Sequence, residues 1–140
     1  MTSRGTVRMP RMVQRAIGGS AKALAAAINS SNISGVTATA NATSVTGTYA
    51  STPITADVTA VLTINGTAIN LALTTAGIGA TNVATTVNAI QANSAATGVT
   101  ATLQAGNTIQ LSAADGRNID VSFAAGGATG AALADIGLGG

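Results

Sequence analysis

From Val58 to Leu73, apolar and polar residues alternate on both sides of Asn65-Gly66. A period of two marks strands with one buried face, and Asn-Gly suits a two-residue type I′ turn because both of its residues take positive φ. With that turn Leu62 faces Ile69, Ala60 faces Leu71 and Val58 faces Leu73. All three pairs lie on one side, so turn chemistry and hydrophobic parity predict the same hairpin register.

The period then changes. From about Thr81 to Ser94, Val83, Val87 and Ile90 fall on one helical stripe that can cover a sheet face. Beyond Gly98 the apolar positions are odd-numbered: Val99, Ala101 and Leu103, then Ile109, Leu111 and Ala113, then Ile119, Val121 and Phe123. A two-residue loop at Gly106-Asn107 would set apolar against polar. Three-residue loops restore parity, and Gln104-Ala105-Gly106 and Ala114-Asp115-Gly116 each place glycine at the left-handed third position. The pattern therefore predicts a three-stranded meander with one apolar face.

Upstream, Ser20 is an N-cap candidate for a helix through about Asn29, with Leu24 and Ile28 on one face. The cluster Asn29-Ser30-Ser31-Asn32 stops it. Val36 to Ala40 and Val45 to Tyr49 read as short strands. Ser51-Thr52-Pro53 marks a break, since proline cannot donate to a sheet ladder and restricts the residue before it.

An internal repeat runs through these elements. Gly35-Val36-Thr37-Ala38-Thr39 recurs as Gly98-Val99-Thr100-Ala101-Thr102, and each copy follows a helix-like run ending in Ala27-Ile28-Asn29 or Ala89-Ile90-Gln91. The expected organisation is a basic, poorly ordered lead-in arm over 1–19, an incomplete helix-strand unit over 20–52, a complete unit over 53–125, and a Gly/Ala-rich tail over 126–140. In the tail Leu133, Ile136 and Leu138 form a short helical turn or a docking segment. The fold class expected is α+β: a small antiparallel sheet of hairpin and meander packed on one or two short helices, as a partly duplicated unit.

Composition narrows what such a fold does. Aromatics are 1% of the 140 residues, Tyr49 and Phe123 only, and much of the 46% hydrophobic fraction is alanine. The core thus rests on Val, Ile and Leu, each contributing roughly 1.5–3 kcal/mol when fully buried, which predicts a modestly stable domain. Charged residues are 7%, and Ser, Thr and Asn keep the surface wet. The net charge of +2 and pI near 10.0 come from the start of the chain: Arg4, Arg8, Arg11, Arg15 and Lys22 carry all the positive charge except Arg117. From Ala23 onward one arginine stands against Asp57, Asp115, Asp120 and Asp135. A nucleic-acid partner is not expected, because no basic patch with interleaved aromatics is present there. Nor is a membrane partner, since every apolar run breaks well before the roughly 20 residues of a spanning helix.

Reactive chemistry is sparse. There is no histidine and no cysteine, so His-based triads, His metal sites, thiol chemistry and disulfides drop out. The sole lysine, Lys22, has no Ser-x-x-Lys arrangement around it. Asp115 and Asp120 lie close enough in sequence for a carboxylate pair, but Asp115 is the turn former before Gly116 and Asp120 falls on a strand's polar face. Gly77-Ile78-Gly79 lacks the third glycine of a dinucleotide fingerprint. Asn29, Asn32, Asn41 and Asn65 head Asn-x-Ser/Thr sequons, which arise easily by chance in a chain so rich in these residues. The expectation is no enzyme: no catalytic residues, no cofactor and no metal.

One further run is distinctive in its order. It comprises Leu62 to Ile69, the helix end Val87-Asn88-Ala89-Ile90-Gln91, Gly98 to Thr102, and Ile109 to Ile119 with Ser112-Ala113-Ala114-Asp115-Gly116 inside it. This resembles the "IN" motif of the variable outer part of bacterial flagellins, also found in hook-associated and filament-cap proteins. The resemblance covers about residues 57–123, and residues 23–40 are similar to the helix-and-strand half of a second copy. It implies a structural, extracellular, secreted outer domain or fragment of a flagellar filament subunit supporting motility. The partners implied are other flagellin subunits or the remainder of the parent filament protein, with the isolated chain monomeric. Neither end resembles the coiled-coil segments through which flagellins assemble. The alternative is an interaction module of a hook-associated or cap protein, an adhesin or a virion surface protein, with the edge around Val45 to Tyr49 as its contact.

Overall fold

The computed structural model describes residues 19–51, 54–127 and 130–140. Residues 1–18 of the arm expected over 1–19, the Thr52-Pro53 part of the expected break and residues 128–129 of the expected tail lie outside them. Two three-stranded antiparallel sheets and short helices make up the fold, an α+β arrangement as expected.

Helix α1 (Ala21–Ser30) starts where Ser20 Oγ accepts from the Ala23 N–H at 3.3 Å. Strand β1 (Thr43–Thr46) follows after an extended stretch. Strands β2 (Val58–Ile64) and β3 (Thr67–Leu73) form the hairpin in the expected register, with Leu62 opposite Ile69, Ala60 opposite Leu71 and Val58 opposite Leu73. Asn65 and Gly66 have φ of 50° and 81°, the double left-handed turn that the sequence calls for. Helix α2 (Ala80–Ala92) and the short α3 (Ser94–Thr97) lead into β4 (Thr100–Gln104), β5 (Thr108–Ala113) and β6 (Val121–Ala124). Val83 and Ile90 of the α2 stripe are fully buried.

The β4–β5 loop has three residues, as parity requires, but they are Ala105, Gly106 and Asn107, one step later than expected. Gly106 and Asn107 both take positive φ, 74° and 58°. They make the tight turn themselves, and Ala105 is the extra residue that keeps Leu103 opposite Ile109.

The meander is corrected by the structure. β4 and β5 pair, but β6 leaves them and joins β2, with Leu62 opposite Phe123 and Ile64 opposite Val121. The vacant side of β5 is taken by β1, which sets Val45 opposite Leu111. The sheets are therefore ordered β1-β5-β4 and β3-β2-β6. The physical cause lies in the link after β5. Gly116, at φ 71°, turns the chain against Asn41, whose carbonyl would stand 2.6 Å from any Cβ there. The Asn65 side chain then catches the chain at Asp120 and delivers β6 to β2.

A second correction concerns the first copy of the repeat. Val36 to Ala40 forms no strand, and the strand expected over 45–49 runs instead from Thr43 to Thr46. Thr48 makes an isolated bridge to Gly139.

One apolar cluster joins both sheets. It contains Leu62, Leu71, Ile90, Val99, Ile109 and Leu111, and α2 lies against both β3 and β4. The tail returns to it: a 3-10 turn at Leu133–Ile136 buries Ile136 completely and Leu138 nearly so.

Candidate functional site

Among the described residues, three sets of polar or ionisable side chains tie together elements that the fold needs anyway. The first surrounds Asp115. Its Oδ2 accepts from Lys22 Nζ at 2.5 Å and Arg117 Nη2 at 2.7 Å, and Arg117 Nε lies 3.0 Å from both carboxylate oxygens. These hydrogen bonds from Arg117 and then Lys22 hold the Asp115 carboxyl far below the usual range, and the same carboxylate raises the Arg117 guanidinium above its ordinary value. Arg117 also donates through Nη1 to the Thr97 carbonyl at 3.0 Å, and the Lys22 N–H donates to the Gly116 carbonyl at 3.1 Å. The cluster thus ties α1 to the Gly116 turn and to the end of α3. An aspartate held this strongly ionised between two cations is a poor proton carrier at neutral pH.

The second place is Asn65. Beyond its turn role, its N–H donates to the Asp120 carbonyl at 3.0 Å and its Oδ1 accepts the Asp120 N–H at 2.9 Å. Its Nδ2 donates to the Thr97 carbonyl at 3.0 Å. Asp115 and Asp120 share no hydrogen-bond partner among the described residues, so the structure does not bring them together as a working carboxylate pair. Of the sequon asparagines, Asn65 and Asn29 have their amide nitrogens engaged in such bonds.

The third is a set of side-chain amide clamps on the backbone. Asn82, 1% exposed, accepts the Thr74 N–H at 3.1 Å and donates to the Thr74 carbonyl at 2.9 Å. Asn29 does the same to Ala38, at 2.8 and 2.9 Å. Gln91 donates to the Ala101 carbonyl at 2.6 Å. Ala38 and Ala101 are the fourth residues of the two Gly-Val-Thr-Ala-Thr copies, and Asn29 and Gln91 end the two Ala-Ile-Asn/Gln runs. The repeat is therefore carried into local structure as a helix-end amide gripping the same alanine. Sequence reasoning aligned Asn29 with Gln91 and read Asn29 as part of a helix stop, but it gave no clamp to either and no task to Asn82; a polar residue recurring at a helix end was the available signal for the first two.

No group of three or more metal-ligating side chains occurs among the described residues. Among those residues no helix is long and apolar enough to cross a membrane. Gly77-Ile78-Gly79 forms a linker into α2 in which Asn82 Oδ1 would stand 2.6 Å from a Cβ on Gly77, so compactness accounts for that glycine.

A concavity of the surface lies elsewhere. A half-open cleft of about 400 Å³ lies beside β1, where Val45 and Leu111 face Ile119, Val121, Leu133 and Leu138. These apolar residues are all aliphatic, and Thr46, Asp120 and the backbone of Gly47, Gly139 and Gly140 complete the lining. Val45 is 49% exposed there, although its neighbour Leu111 is buried. No family model matches this chain, and neither the curated proteins nor the solved structures contain a match to it.

Proposed function

We propose that this chain is a structural, surface-exposed outer domain of a bacterial flagellar filament subunit, extracellular and without catalysis, whose partners are other subunits or the rest of its parent protein. The observation that carries the reading is the ordered run of Asn-Gly hairpin, Ala-Ile-Gln helix end, Gly-Val-Thr-Ala strand and Ser-Ala-Ala-Asp-Gly turn. Each piece of that run serves a scaffolding purpose here: the hairpin supplies a core face, Gln91 grips β4, and Asp115 anchors α1. A projecting domain needs a small aliphatic core and a polar, weakly charged exterior, and these residues supply both.

Antibodies raised against the purified chain and applied to cells of its source test this. Regular labelling along filaments is expected. Label restricted to the hook or the filament tip would transfer the reading to a hook-associated or cap protein, and label on the cell body would reject both. The interaction-module reading gains from one specific observation, the open cleft beside β1.

A further inference from the structure

The geometry points to the free edge of β1 as a docking site for an extended segment of another polypeptide, which adds as an antiparallel strand and fills the adjoining cleft. The direction of the β1 backbone follows from its pairing. The Gly47 N–H donates to Ile109 at 2.9 Å, and alternate residues of an antiparallel strand turn their N–H and C=O to the same neighbour. Thr43, Val45 and Gly47 therefore face β5, whereas Ser44, Thr46 and Thr48 face away from it. Thr48 is satisfied on that side, exchanging hydrogen bonds of 2.7 and 2.9 Å with Gly139. Ser44 and Thr46 have no strand beside them among the described residues.

Gly139 shows what fits. It pairs antiparallel with Thr48 in an isolated bridge just beyond β1, and Thr46 and Ser44 are the next residues that turn to the same side. A strand that continues this line places the side chain opposite Val45 in the cleft, between Leu111 on one sheet and Val121 on the other. The occupant is thus an extended segment with a short aliphatic residue facing the cleft and uncharged polar residues facing water. Of the usual guards of an exposed edge, β1 has its short length but carries neither a charge nor a proline. The opposite edge of the same sheet differs, because Gln91 covers the outward carbonyl of Ala101 on β4. Backbone pairing supplies affinity in such an addition, and the cleft supplies selection for the inward side chain.

This inference goes beyond the flagellar reading and does not depend on it. It is tested on the whole chain with a peptide of alternating threonine and valine carrying a lysine at each end. At saturation the Ser44 and Thr46 amides are expected to exchange with solvent about tenfold more slowly. Thr46→Pro removes an outward donor and none of the bonds to β5, so it is expected to weaken binding about tenfold or more while β4–β5 protection stays unchanged. Val45→Asp, which places a charge in the cleft, is expected to weaken it as well. Absence of binding at millimolar peptide, equal binding by Thr46→Pro, or protection at a different edge overturns the proposal. So does self-association that protects Ser44 and Thr46 without peptide, which would assign the edge to a second copy.

Discussion

The two copies of Gly-Val-Thr-Ala-Thr share five residues, a left-handed glycine and an amide clamp, yet only one is a strand. Gly35 and Gly98 have φ of 78° and 68°. Val99 is fully buried and Ala101 is 2% exposed, whereas Val36 is 49% exposed. The difference is in what surrounds them. The second copy follows a helix that packs on the β2–β3 hairpin and precedes β5, with which β4 pairs. The first copy precedes β1, which pairs with β5 instead, so Val36 to Ala40 has no ladder to enter. Local sequence fixes the glycine turn and the clamp; strand formation is decided by partners that lie far away in the chain.

The sharpest test of that contrast is a charge at the equivalent valines. Val99→Asp puts a carboxylate into the apolar core and is expected to cost about 4 kcal/mol or more. Val36→Asp is expected to stay within about 0.5 kcal/mol, as exposed sites do. Denaturant melts of the two variants measure both, and comparable losses would mean that Val36 is covered in solution.

A smaller difference is expected at the glycines. Either Gly→Ala change places a Cβ in the left-handed region, at about 1–2 kcal/mol. A Cβ on Gly35 meets nothing within 4 Å, whereas one on Gly98 runs into the Arg117 guanidinium. Gly98→Ala must therefore also displace Arg117 from Thr97, and its melting temperature is expected to fall further than that of Gly35→Ala.

The smallest effect concerns the tie between the copies. Because the Asp115 carboxyl is depressed in the folded state, its stabilising effect is complete above the unfolded-state pKa of about 3.9 and fades as pH falls through the lower folded value. Asp115→Asn is expected to lower the melting temperature slightly at pH 7 and to flatten its decline below about pH 4. The pair is exposed, with side chains 48% and 37% accessible at Lys22 and Asp115, which keeps the effect small. An unchanged acid profile would show that α1 is held by the Lys22 to Gly116 backbone bond instead.

These contrasts also mark how far the chain can be read from its residues. The hairpin was legible to the residue because Asn65-Gly66 and three aliphatic pairs agree. Parity also constrained the β4–β5 loop, while leaving open which residue would be the extra one. The destination of β6 was not legible, since β5 and β2 both present apolar faces compatible with Val121 and Phe123. What decides it is the bond between Asn65 and Asp120, 55 residues apart. The same holds for the edge of β1: the sequence pointed to the region of Val45, but its outward direction follows only from pairing with β5. The scarcity of reactive groups, by contrast, is visible from composition alone.

The amide clamps have a consequence for the medium in which the protein can work. Asn29, Asn65, Asn82 and Gln91 fasten the junctions between helices, turns and strands through neutral groups. Added electrolyte weakens contacts between exposed charges and leaves neutral hydrogen bonds almost unaffected. These four junctions, unlike the Asp115 tether of α1, are therefore expected to hold with little change from dilute to saline water.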